Sequence, residues 1–119
     1  MSVFRDTTIE WNGETYTLTP TMRLLHAIEA GDRSKGIDRI SLAEVMQSVT
    51  SGQPQLAKMS HIVEMVMRHA GAKDFREDEF YQEFWVGDRT AATECWHTIV
   101  SAITPAPKEG KDDAVPDTE

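Results

Sequence analysis

A chain of 119 residues is long enough for one domain with a real core and leaves little room for a second. Its 20 Asp and Glu against 12 Lys and Arg give a net charge of −8, which argues against binding nucleic acid or an anionic membrane, because those surfaces take up Lys and Arg in exchange for counterions. The single cysteine, Cys95, excludes an internal disulfide framework and a cysteine-based zinc site. Neither a signal-like apolar segment in 1–19 nor the roughly 18 consecutive apolar residues of a membrane span is present, so a cytoplasmic location is expected.

The first element is a β-hairpin over 7–18, TTIEWNGETYTL. Asn12-Gly13 is the two-residue turn that needs positive φ at both positions, and it places Trp11 opposite Glu14, Ile9 opposite Tyr16 and Thr7 opposite Leu18. Ile9, Trp11, Tyr16 and Leu18 then share one face, which must be covered because a lone hairpin is marginal in water. A helix is predicted over 20–30, with Thr19 as N-cap, Pro20 in the first helical position and Gly31 as the stop. Met22, Leu24, Leu25 and Ile28 are expected to point inward. The charged stretch 32–40 reads as a mobile loop. Ser41 and Glu44 have capping-box spacing before a short helix over 42–51, whose apolar side carries Leu42, Val45, Met46 and Val49.

The longest helical pattern runs over 54–70, with Pro54 at its start and Gly71 past its end. At 100° per residue, Leu56, Met59, Ile62, Val63, Val66, Met67 and Ala70 fill one arc. Lys58, Ser60, His61, Glu64, Arg68 and His69 fill the other, and Met65 falls among them. A further helix over 77–85 carries two four-residue aromatic pairs, Phe80 with Phe84 and Tyr81 with Trp85. Asp74, Glu77, Asp78 and Glu79 lie at its N-terminal end, where the helix dipole favours negative charge. Asp88 is the expected N-cap of a last helix over 89–103, with Ala92, Cys95, Trp96 and Ile99 on its apolar arc. In 105–119 two lysines face five acids, and Val115 is the one apolar side chain larger than Ala. That composition predicts a disordered acidic tail. The fold class is therefore mainly α (α+β): a single domain over 1–104 made of an N-terminal hairpin and about five helices.

The candidate chemistry is sparse. His61 and Glu64 stand three apart with Arg68 a turn further on, but the paired-helix metal motif is Glu-x-x-His supplied twice, and this chain offers one pair in the reverse order. The expected reading is a solvated helix face with an intrahelical His–Glu–Arg network. Cys95 has His97 on the opposite side of its helix and so lacks the base a nucleophile needs. The acids near Asp74 lack the spacing and central glycine of a calcium loop, and phosphate-binding glycine loops are missing. No catalytic residue, cofactor or metal is expected, and the protein reads as non-enzymatic. Six methionines supply adaptable apolar surface. The expected partner-binding residues are Met65, Tyr81, Trp85 and Trp11, with the open hairpin edge as a site for strand addition.

The order of elements, IEWNGETYTL, then TPTMRLLHAIEAG, then SLAEVMQSV and a longer helix before an acidic end, resembles the tail assembly chaperones of long-tailed bacteriophages and gene transfer agents. The shared pattern lies at Leu24, Leu25, Ile28 and Glu29, and the likeness covers about 7–70. It implies a helper in the host cytoplasm that binds the tape measure protein, recruits tail tube subunits and is absent from the finished virion. A second copy of the chain is a further candidate partner. Two other readings stand beside it: a small acidic inhibitor that mimics nucleic acid, and a structural tail or head-joining subunit.

Overall fold

The Asn12-Gly13 turn folds as expected, with φ of 51° and 79° at its two residues, and it joins β1 (Thr7–Trp11) to β2 (Glu14–Leu18) in the predicted antiparallel register. The computed structural model describes residues 6–87 and 89–104. After the hairpin come α1 (Met22–Ala30), a 3-10 turn (Arg33–Lys35), α2 (Leu42–Thr50), α3 (Leu56–His69), α4 (Glu77–Trp85) and α5 (Arg89–Ile103). The expected Asp88 cap and the 105–119 tail lie outside the described residues. Among those residues, no helix is long and apolar enough to cross a membrane.

α3 is the central element. It packs against α1, β2, α4 and α5, while α5 also packs against β1 and α4. The two strands are therefore clamped between helices, β2 on α3 and β1 on α5, and this covers the apolar face formed by Ile9, Trp11 and Leu18. Met59, Ile62, Val63, Val66 and Met67 of α3 meet Ala92, Cys95, Trp96 and Ile99 of α5 in one buried cluster.

Two helices start later than the sequence suggests. α1 is capped by Thr21, whose Oγ1 accepts the Leu24 N–H at 3.1 Å. Thr19 is engaged elsewhere, donating its hydroxyl to Asp6 at 3.0 Å and accepting at its carbonyl from His69 Nε2 at 3.0 Å. α3 starts at Leu56, because the Gln55 N–H is held by Ser48 Oγ at 3.1 Å, and that hydroxyl donates to the Val45 carbonyl at 2.6 Å. Pro54 lies in the approach to α3. Met22 is 53% exposed, contrary to expectation. Leu24 and Ile28 set the inward direction of α1, and Met22 projects about 120–160° around the helix from them.

The 32–40 stretch is folded. Asp32 and Ile37 exchange two backbone hydrogen bonds, Asp32 N–H to Ile37 O at 2.8 Å and Ile37 N–H to Asp32 O at 3.0 Å. The Asp32 carboxylate accepts from the Ser34 amide at 3.0 Å and from its hydroxyl at 2.6 Å. Ile37 and Ile40 are buried. Gly31 makes this loop close: at φ 75°, ψ −161° it occupies a region open essentially to glycine, and a Cβ there would collide with the carbonyl oxygens of Ile37 and Asp38. Gly36, with φ 75° and ψ 18°, has open space around it. Gly36→Ala should accordingly cost about 1–2 kcal/mol for the left-handed backbone alone, and Gly31→Ala more than that, because the backbone collision adds to a conformational cost of about 1–3 kcal/mol. Urea unfolding of the two variants checks the order; equal losses would contradict the close packing at Gly31.

Candidate functional site

α4 carries aromatic side chains on both sides. Its start is set by Glu79, whose carboxylate accepts the Arg76 N–H at 3.2 Å and whose N–H donates to the Arg76 carbonyl at 3.0 Å. On the inner side, Phe80 is fully buried and stacks on Trp11 at 6.3 Å between ring centroids, while Phe75 meets Trp11 edge-on at 5.5 Å. On the outer side, Tyr81 and Trp85 are 47% and 53% exposed; Val86, just past the helix end, is 77% exposed. Phe84 is half-buried and links the two sides, contacting Phe80 at 6.3 Å and Trp85 at 5.8 Å. Tyr81 meets Trp85 edge-on at 6.4 Å.

Arg89, the first residue of α5, fixes this outer face. Its guanidinium lies 4.7 Å from the Phe84 ring centroid and 5.6 Å from that of Trp85, and its Nε donates to the Phe84 carbonyl at 3.3 Å. Stacking of this kind attracts the cation to the ring faces and limits the motion of both partners.

The four expected contact residues separate into three environments. Tyr81 and Trp85 are exposed and adjacent. Trp11 is buried because the hairpin register turns it toward Phe75 and Phe80; it supports α4 from beneath and is not part of the exposed α4 face. Met65 is half-buried and packed against the core, since α3 is enclosed by neighbours around more of its circumference than its apolar arc. Arg89 carried no sequence signal of its own, because it belongs to the next helix and reaches Phe84 and Trp85 across the break at Gly87. No family model, curated protein or solved structure matches this chain.

A polar cluster lies where a solvated face of α3 was expected. His61 and Ser60 are buried, and Lys35 reaches over from the 3-10 turn. Its ammonium donates to Glu64 at 2.8 Å, pairs with Glu77 at 3.1 Å and sits 3.1 Å from His61 Nδ1. An ammonium only donates, so Nδ1 accepts and the neutral ring carries its proton on Nε2. That buried Nε2 has no hydrogen-bond partner among the described residues. Glu64 also accepts the Glu77 N–H at 3.1 Å and pairs with Arg68 at 3.6 Å, and Arg68 Nε donates to the Phe75 carbonyl at 2.8 Å. The intrahelical Glu64–Arg68 contact thus exists, within a larger network that joins the 3-10 turn, α3 and the start of α4.

Burial and then the Lys35 charge hold His61 below the ordinary histidine value. For Glu64, burial pushes the carboxyl up, but hydrogen bonds from Lys35 and the Glu77 backbone outweigh it and the net shift is downward. Among the described residues no cluster of three or more His, Cys, Asp or Glu side chains is placed to hold a metal. Cys95 is buried, and burial pushes its thiol up to about 12, far from the thiolate a nucleophile requires.

The cluster dictates the response to acid. The unfolded chain's histidine protonates near 6.5 and the folded His61 only at a lower pH, so between those values the unfolded state binds more protons and stability falls as pH falls. A second loss follows below 4.5, where the depressed Glu64 is protonated. Lys35→Met should destabilise by about 1 kcal/mol, the net worth of a charge-assisted bond at a partly solvated site. It should also move the His61 titration toward its ordinary value. Ring-proton NMR titration of both proteins checks this; an unmoved His61 titration would exclude Lys35 as its neighbour in solution.

Proposed function

We propose that this protein is a non-enzymatic binding protein that uses the outer face of α4 to hold an apolar segment of a partner. The observation that carries the reading is the exposure of Tyr81 and Trp85 as an adjacent edge-on pair on a helix whose opposite side is locked into the core. Large aromatic side chains at rigid positions are the usual anchors of protein interfaces, because they bury much area at small entropic cost. Leaving them uncovered invites aggregation, and a net charge of −8 opposes it by mutual repulsion.

The biological role we propose is that of a phage tail assembly chaperone in the host cytoplasm, one that binds the tape measure protein and recruits tail tube subunits. Support comes from the hairpin-then-helix order and the Leu24, Leu25, Ile28, Glu29 pattern, and from the pairing of an open apolar face with high negative charge that a holdase needs. A nucleic-acid mimic would display its carboxylates as an array. Here Glu64 and Glu77 share Lys35, Glu64 also contacts Arg68, and Asp78 faces Arg76 at 3.9 Å, which disfavours that reading. A structural tail or head-joining subunit would be found in purified virions by mass spectrometry, whereas a chaperone would be missing from them.

Co-expression with a tape measure protein tests the proposal. The wild type should co-purify with it, and Tyr81→Ser with Trp85→Ser should abolish the complex while the protein stays folded, at a cost of about 1–2 kcal/mol from the lost ring and cation–π contacts. Retention of the complex by the double variant would exclude the α4 face as its docking site. Met65→Asp should lower stability by about 1–3 kcal/mol, because it places a carboxylate against the core.

A further inference from the structure

The hairpin leaves part of its backbone unpaired in a specific place. With a two-residue turn, the pairs Trp11–Glu14, Ile9–Tyr16 and Thr7–Leu18 exchange the ladder hydrogen bonds, so Thr8 and Glu10 direct their N–H and C=O groups away from β2. These groups have no hydrogen-bond partner among the described residues. The same two residues line a groove of about 600 Å³ between the hairpin and α5, with Thr15 of β2 beside them, Glu94 and Thr98 on the α5 side and Glu83 of α4 also contributing. Trp11 lines it too, and its buried indole N–H has no partner among the described residues. No Lys or Arg occurs among the described residues around it.

We propose that this groove receives an extended, Lys- or Arg-bearing segment of a partner protein, paired through its backbone to Thr8 and Glu10 and placing its cations against Glu10 and Glu94. Backbone pairing to a strand edge supplies affinity without regard to sequence, and the side chains at alternate positions supply selection. Charge chooses among the occupants. The chain's own 105–119 segment carries two lysines against five acids and is repelled by the glutamates. A second copy joined edge to edge would bring two such acidic grooves together in molecules of net charge −8. A cationic extended segment meets neither penalty. The groove lies on the hairpin and α5, and its occupancy does not depend on the tail-assembly reading.

Short blocked peptides alternating Lys and Thr, alternating Glu and Thr, and alternating Lys and Thr with a methylated backbone are titrated into the full-length protein by fluorescence anisotropy and amide NMR. The unmodified Lys–Thr peptide should bind at least about tenfold more tightly than the other two, the scale set by one or two net hydrogen bonds or charge contacts. Amide shifts should cluster at residues 8–11 and 94–98. Glu10→Lys combined with Glu94→Lys should reduce affinity by a similar factor. Thr8→Pro should do the same, since that N–H serves no ladder bond within the hairpin and proline is tolerated at such edge positions. Equal binding of the methylated and unmodified peptides would overturn the proposal, as would equal binding of the Glu–Thr peptide or shifts confined to Tyr81 and Trp85. NMR contacts between 105–119 and Thr8 in the free protein would overturn it in favour of the chain's own tail. Should Thr8→Pro fail to fold, the methylated peptide on the wild type still decides the matter.

Discussion

Everything in this fold depends on α3 being enclosed. An amphipathic helix on the surface of a small domain normally keeps one polar side in water, but here buried positions include Ser60 and His61 as well as the apolar arc. A polar group taken out of water must find a partner or cost on the order of 1–3 kcal/mol. The loop between α1 and α2 answers that demand at His61 Nδ1, while Ser60 Oγ and His61 Nε2 have no hydrogen-bond partner among the described residues. It folds back, closed by the Asp32–Ile37 bonds and permitted by Gly31, and delivers Lys35 to His61, Glu64 and Glu77. The loop's order and the burial of α3 are thus one constraint seen from two sides.

The same constraint separates what was legible in the chain from what was not. The hairpin register could be read from Asn12-Gly13 because a two-residue turn is local and admits one pairing. The bounds of α4 and α5 follow from strong periodicity and a Gly87 break. The starts of α1 and α3 could not be read, because their caps are decided by distant contacts: His69 on the Thr19 carbonyl, and Ser48 on the Gln55 amide. A helical wheel shows which residues are apolar, but not how many neighbours surround the helix. His61 therefore looked solvated, since the lysine that covers it lies 26 positions earlier in sequence. Met65 misleads in the same way. The aromatic helix is the converse case, because Tyr81 and Trp85 form a second stripe beside Phe80 and Phe84, and a nine-residue helix at the edge of a small domain cannot bury both.

That two-sidedness has a mechanical consequence. Trp11, Phe75 and Phe80 form a buried aromatic base, and Phe84 carries the contact outward to Trp85, with Arg89 bridging both rings. The exposed rings are anchored to the hairpin through the core, so little rotamer freedom remains to be lost when a partner covers them. Pre-organisation of this kind raises affinity by reducing what binding costs in ordering. Trp11 thereby contributes to a surface that it never reaches.

The hairpin holds the molecule together and leaves an edge open at the same time, and the reason is the strand count. A two-stranded sheet has two outer edges; here β2 packs on α3 and β1 packs on α5. Helices cover a sheet's apolar face by packing side chains, but they cannot supply ladder hydrogen bonds, so among the described residues the Thr8 and Glu10 backbone groups stay unpaired even with α5 beside them. Soluble proteins commonly protect such edges with charge, and Glu10 and Glu94 provide it. Charge of one sign protects selectively: it repels acidic chains, including further copies of this one, and leaves the edge open to basic segments. The arrangement that keeps an acidic protein from pairing with itself is therefore also a rule for what it can pair with.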